Sequence, residues 1–132
     1  MGMNSQREKI LIVDDDPDFV ASTGIVLKSA GYEVVEAYSG KEGLEKAKSE
    51  CPDLFIIDLM METYSEGANL VEALSKDEQS KDKPRIMITS VDLKGPWDSY
   101  PSDNWLPCDY LLQKPVPPEE LLRKVRQLLS RK

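Results

Sequence analysis

Hydrophobic and polar positions fall into two alternating rhythms along the chain. Lys9 to Val13 (KILIV) is a short apolar run without alternation, the pattern of a strand buried on both faces. Asp16 and Pro17 then supply an N-cap and a first-turn proline for a helix to about Ala30, which Gly31 stops. Glu33 to Ala37 (EVVEA) is brief and β-branched, a strand nearer an edge. Ser39 can cap a second helix from about Lys41 to Glu50, broken by Cys51, Pro52 and Asp53. Leu54 to Ile57 is again fully apolar and ends on Asp58. Leu70, Val71 and Leu74 share one face of a third helix, from about Ala68 to Ser75. The charged stretch Lys76 to Lys83 reads as a solvated loop closed by Pro84. Arg85 to Thr89 and Tyr110 to Leu112 are the fourth and fifth strands. Pro117 and Pro118 open a last helix to about Arg131, with Leu121, Leu122, Val125, Leu128 and Leu129 in one apolar stripe. Strands alternating with helices in this way predict a parallel sheet covered on both sides.

One segment breaks the rhythm. A helix is due between Ser90 and Cys108, yet Gly95, Pro96, Pro101 and Pro107 fall there, and an interior proline costs a helix about 3 kcal/mol or more. The expectation is a loop with at most a short helical turn, packed down by Trp97, Tyr100 and Trp105.

Composition narrows the chemistry. The 132 residues carry 24 Asp plus Glu against 17 Lys plus Arg, a net charge of −7, with no histidine and two cysteines. Without histidine there is no imidazole base for a serine or cysteine nucleophile and no imidazole zinc site. Any metal must rest on carboxylate oxygens, which suit hard cations such as magnesium, manganese or calcium. The length suits a single domain over 1–132, with no output domain expected in this sequence. Cys51 and Cys108 are expected as small core residues in a reducing, cytoplasmic setting. The N-terminus lacks a signal-peptide apolar run, and no stretch approaches the ~20 apolar residues of a membrane span. The acidic balance argues against nucleic acid as a partner. It is uneven: Glu119 to Lys132 holds five basic and two acidic residues, so that segment is +3 and the rest −10. The basic face of the last helix reads as solvated, opposite the leucine stripe.

In an open parallel sheet, the carboxyl ends of the strands line one edge, where ligands bind. Here the first strand ends in Asp14, Asp15 and Asp16, the third in Asp58, the fourth in Thr89 and Ser90, and the fifth runs into Lys114-Pro115. Asp16 before Pro17 serves best as a helix cap. Two like charges ~4 Å apart repel by about 4 kcal/mol at an effective dielectric near 20, so either a carboxyl holds a proton or a divalent cation sits among them. Magnesium fits, because it takes one or two carboxylates and leaves room for phosphoryl oxygens. One carboxylate could then act as nucleophile toward phosphorus, with Lys114 and Thr89 holding the transferred oxygens. The Lys114-Pro115 step is a candidate cis peptide.

These residues resemble the receiver domain of two-component response regulators. Ile10 to Phe19 (ILIVDDDPDF), Asp53 to Met61 (DLFIIDLMM), Arg85 to Ser90 (RIMITS) and Gln113 to Val116 (QKPV) match its four blocks in order. The resemblance covers a core of about 8–130 and implies a flavodoxin-like sheet of order 2-1-3-4-5. It implies that Asp58 accepts phosphate from the phosphohistidine of a sensor histidine kinase or histidine phosphotransfer protein, and that the domain regulates rather than turns over substrate. It further implies that Asp14, Asp15, Asp58 and the Met60 carbonyl hold magnesium, that Thr89 is the switch hydroxyl, and that Lys114 is the Lys-Pro lysine. A protein target and a second copy of the chain are the implied downstream partners.

Three departures stand out. Glu62 occupies the place of a usual proline, and Gly67 stands nine rather than eight residues after Asp58, so the intervening loop is one residue longer. The switch-aromatic position is Leu111, with Tyr110 one residue off register. The proline-rich segment replaces a regular helix before the fifth strand. Two readings compete: a receiver-like module that binds without phosphorylation, and a haloacid-dehalogenase-like phosphohydrolase built on Asp14-x-Asp16. The phosphohydrolase leaves Asp58 without a role.

Family members place hydrolysis-tuning side chains two residues after the phosphorylated Asp and two after the switch Thr. Here these are Met60 and Val91, neither of which can orient a water molecule. A long-lived phosphoaspartate is expected, shortened by Met60→Asn or Val91→Glu. Dephosphorylation of the isolated domain checks this: a half-life of seconds, unmoved by either substitution, would be the contrary result.

Overall fold

The computed structural model describes residues 7–59, 66–90 and 109–130. Five strands, β1 (Lys9–Val13), β2 (Glu33–Ala37), β3 (Leu54–Asp58), β4 (Arg85–Thr89) and β5 (Tyr110–Gln113), form one sheet. Among the described residues four helices accompany them: α1 (Pro17–Ser29), α2 (Gly40–Glu50), α3 (Glu66–Ser75) and the C-terminal α4 (Pro118–Leu129). All neighbouring strands run parallel in the order β2-β1-β3-β4-β5, as expected. The proline-rich stretch, with Trp97, Tyr100, Trp105 and Cys108, lies outside the described residues.

The apolar runs of β1, β3 and β4 are buried on both faces, which explains their lack of alternation. Side chains of alternate residues build two separate cores. Leu11, Val13, Phe55, Ile57 and Met87 pack with Leu70, Val71 and Leu74 of α3 on one face. Ile10, Ile12, Leu54, Ile56, Ile86 and Ile88 pack with Val20 and Leu27 of α1 and the leucine stripe of α4 on the other. Each such side chain contributes roughly 1.5–3 kcal/mol relative to exposure. β2 is an edge strand and carries Glu33 on its exposed side, as its sequence suggests.

Local signals set the helix ends. The Asp16 carboxylate accepts from the Asp18 N–H at 3.1 Å, capping α1 ahead of Pro17. Gly31 follows the helix at φ 99°. Ser39 Oγ accepts from the Glu42 N–H at 3.1 Å while Glu42 Oε1 accepts from the Tyr38 N–H at 2.8 Å, a reciprocal clasp close to a capping box.

Three expectations are corrected. Cys51 is not a core residue: it is exposed in the left-handed C-cap of α2 at φ 50°, where the end of the helix turns its side chain outward. α3 begins at Glu66, about two residues earlier than expected, with Gly67 in its first turn close against the end of β3. The 76–83 segment is not simply solvated. Ser80 is buried, and Arg85 Nη2 donates to the Ser80 and Lys81 carbonyls at 3.3 Å each, tying the segment to β4.

Gly67 carries a sharp constraint. A Cβ there would collide with the backbone carbonyl oxygens of Asp58 and Leu59. Alanine normally stabilises a helical position over glycine by about 1 kcal/mol. At Gly67 the sign should reverse: Gly67→Ala is expected to destabilise by about 1–3 kcal/mol through overpacking. Urea denaturation measures it, and a neutral or stabilising result would show that the α3 start can retreat.

Candidate functional site: an acidic pocket at the carboxyl edge of the sheet

Strand pairing brings the site together before any side-chain contact is considered. Ile12 pairs with Ile56 and Val13 with Ile57, so the next residues, Asp14 and Asp58, leave their strands side by side. Asp58 in turn pairs with Ile88, and Ile88 with Leu112. Period-two alternation puts Asp14, Asp58 and Lys114 on the same side of the sheet as Ile10, Ile12 and Ile56. The Lys114 N–H donates to the Thr89 carbonyl at 2.8 Å, which anchors the end of β5 against β4. The Lys114-Pro115 peptide is cis.

Asp14 and Asp58 are buried and Asp15 is exposed, and one carboxylate oxygen from each lies within 4.8 Å of the others. Lys114 Nζ lies 2.9 Å from Asp14 Oδ2 and 3.5 Å from Asp58 Oδ2. Asp14 Oδ1 accepts from the Asp16 N–H at 2.9 Å. Asp14 Oδ2 is buried and has no hydrogen-bond donor aligned on it despite the short approach of the ammonium. We read that approach as a charge contact rather than a directed hydrogen bond. Burial pushes the Lys114 ammonium down, but its contact with Asp14 and the charges of Asp58, Asp14 and Asp16 outweigh burial, and its pKa is raised above the ordinary lysine value. The ammonium also sits over the Phe19 ring, 4.7 Å from the centroid. In the sequence Phe19 figures only as the last residue of the first matching block, and its place over the lysine emerges in the fold.

Asp14, Asp15, Asp58 and Lys114 therefore converge. Thr89 is fully buried at the end of β4, joined to Lys114 through the backbone. Asp16 caps its helix rather than facing the cluster as a ligand. Leu111 packs with Met87 on the face of Thr89, whereas Tyr110 lies on the opposite face, its hydroxyl 3.1 Å from Gln127 Oε1 and its ring 4.3 Å from Lys124 Nζ. Met60 and Val91 lie outside the described residues.

A parallel five-stranded α/β domain with buried acids and a lysine at its carboxyl edge is the architecture of a phosphosignalling receiver. The chain belongs to the response regulator receiver domain family, whose model matches residues 10–126. It is similar to the DNA-binding dual master transcriptional regulator RpaA of Synechocystis sp., at 36% identity over 124 residues, covering 93% of this chain and 49% of that protein. It also resembles the phosphate regulon transcriptional regulatory protein PhoB of Pseudomonas aeruginosa, at 33% identity over 122 residues, 92% of this chain and 52% of that one. The chain thus spans about half the length of these curated relatives. Among solved structures, a CheY-like response regulator receiver domain protein from Methanospirillum hungatei superposes with a TM-score of 0.81 at 33% identity, over 96% of both chains. Vibrio cholerae CheY4 gives 0.81 at 30% identity, over 93% of this chain and 99% of that one.

The Lys114 and Asp14 contact makes a measurable claim about stability. In a double-mutant cycle of Asp14→Asn and Lys114→Met, the pair should show a coupling of about 1–3 kcal/mol at low salt. Strict additivity in denaturant unfolding would mean that the two charges do not sense each other.

Proposed function

We propose that this receiver is the phosphoacceptor of a two-component relay, phosphorylated on Asp58. The observation that carries the reading is the Lys114 ammonium held between Asp14 and Asp58 at the carboxyl edge of the sheet. The donor set fits a hard divalent cation, magnesium or manganese: three carboxylates converge within 4.8 Å, two of them buried, with only one ammonium between them to offset their charge. Asp15 would hold the cation directly and Asp14 through water, with Asp58 and the Met60 carbonyl beside them. When bound, the cation supplies positive charge against the phosphoryl oxygens.

The chain's own residues do the remaining work. An Asp58 carboxylate oxygen forms the new bond to phosphorus as the bond to the donor imidazole nitrogen breaks, and that nitrogen is left to take a proton. Lys114 and the Thr89 hydroxyl hold the phosphoryl oxygens as charge moves onto Asp58. These 132 residues hold no histidine, so the phosphoryl group comes from outside this domain, from a sensor histidine kinase or a histidine phosphotransfer protein. The domain assists its own phosphorylation and dephosphorylation, and its output is a changed protein-interaction surface. That surface meets a protein target or a second copy of the chain, without binding nucleic acid or membrane itself. The proposed site of action is the cytoplasm, where partner kinases would present their phosphohistidine; among the described residues no helix is long and apolar enough to cross a membrane.

Incubation with acetyl phosphate and magnesium should add one phosphoryl group, detected by intact mass, and Asp58→Asn should abolish the gain. Asp15→Asn should suppress both the gain and the rise in melting temperature that magnesium produces. A wild-type chain that gains no phosphoryl group and shows no spectral response to beryllofluoride with magnesium would favour a module that signals by binding alone.

A further inference from the structure

The Lys114 ammonium is placed by more than its two carboxylate partners. Those partners attract it but do not fix its position, since an ammonium is a compact point charge on a flexible stem. The third contact is the Phe19 ring, whose centroid lies 4.7 Å from Nζ, within the range at which a ring face attracts a cation. Phe19 is half-buried, so the contact is partly shielded from water.

The position of that ring is set by the same acidic run that forms the pocket. Asp14 Oδ1 accepts from the Asp16 N–H at 2.9 Å, Asp16 Oδ1 accepts from the Asp18 N–H at 3.1 Å, and the Val20 N–H closes the first helical turn on the Asp16 carbonyl at 3.1 Å. Phe19 lies inside that turn. One side of its surroundings is the ammonium. The other is a groove of about 190 Å³ that it lines with Val26, Pro115, Val116 and Leu121.

We propose that Phe19 is a positioning residue for phosphoryl transfer, holding the Lys114 ammonium over Asp14 and Asp58 through the face of its ring. This rests on the reading of Asp58 as phosphoacceptor. A purely packing role would require only bulk at this position, whereas positioning by the ring face requires its negative quadrupole. The two demands separate under fluorination, which keeps the shape and reverses the quadrupole.

The test uses the whole chain with Phe19→Leu, Phe19→Tyr and pentafluorophenylalanine incorporated at position 19. Two quantities are read: the shift of the Lys114 ε-methylene protons by NMR, and the rate of phosphorylation by acetyl phosphate with magnesium. The wild type should show the ε-methylene protons displaced upfield by the ring current. Phe19→Leu should lose that displacement and slow phosphorylation roughly three- to tenfold, the loss expected of one partly shielded cation–ring contact. Phe19→Tyr should restore both, and the fluorinated ring should slow the rate as leucine does while unfolding at the wild-type denaturant midpoint. A wild type that is phosphorylated with Phe19→Leu equally fast, or a fluorinated variant at the wild-type rate, would overturn the positioning role alone. A wild type that takes no phosphoryl group would overturn the Asp58 reading and this role with it.

Discussion

The structure turns on one unfavourable arrangement: two buried carboxylates, Asp14 and Asp58, emerging from adjacent parallel strands. At ~4 Å and an effective dielectric near 20, such a pair repels by about 4 kcal/mol, a large share of a small domain's net stability. The chain offsets this with a cation delivered from β5, two strands away from Asp58. Every element between has to be in place for that delivery. β4 must separate β3 from β5, the Thr89 carbonyl must hold the Lys114 N–H, and α1 must start where Asp16 caps it so that Phe19 meets the ammonium.

Alternation along the strands decides which groups can meet. Asp14, Asp58 and Lys114 share one parity, so the pocket opens toward α1 and α4, while Leu111 and Met87 share the other, toward α2 and α3. A shift of one residue in β5 would exchange these sets. The same rule explains Tyr110. One position before the place of the family's switch aromatic, it falls on the opposite face, where Lys124 and Gln127 of the C-terminal helix hold it. The aromatic ring of β5 therefore packs toward α4, and the side chain on the face of Thr89 is an aliphatic leucine, which carries no hydroxyl of its own.

Most of the fold was legible because its signals are local. Unalternating apolar runs marked the buried strands, and Asp16-Pro17 and Ser39 marked helix starts. The strand-end acids and Lys114 were legible because parallel topology sends all strand ends to one edge. What escaped depended on backbone conformation and on contacts that residue type does not signal. Cys51 read as apolar, but the left-handed turn at its own position puts it outside. The charged loop before β4 read as solvated, because nothing in its composition shows that Arg85 will fold back on its carbonyls. Gly67 could be recognised as a family glycine, but the reason for it, the Asp58 and Leu59 carbonyls against its Cα, exists only in three dimensions.

Charge explains why the pocket is left incompletely neutralised. Three carboxylates and one ammonium leave it formally negative, with the ammonium held against Asp14 and Asp58 and the exposed Asp15 beside them. A second lysine would fill the space and still leave one negative charge uncompensated, whereas a divalent cation balances the remainder in full. Under the proposed function, the incoming phosphoryl group is itself an anion, repelled by the pocket as it stands. An excess sized for a divalent cation makes entry of the anion conditional on the metal, while Lys114 keeps the empty pocket compatible with folding. The arrangement sacrifices stability at one edge of an otherwise well-packed sheet, and the two apolar cores beneath it are what allow that sacrifice.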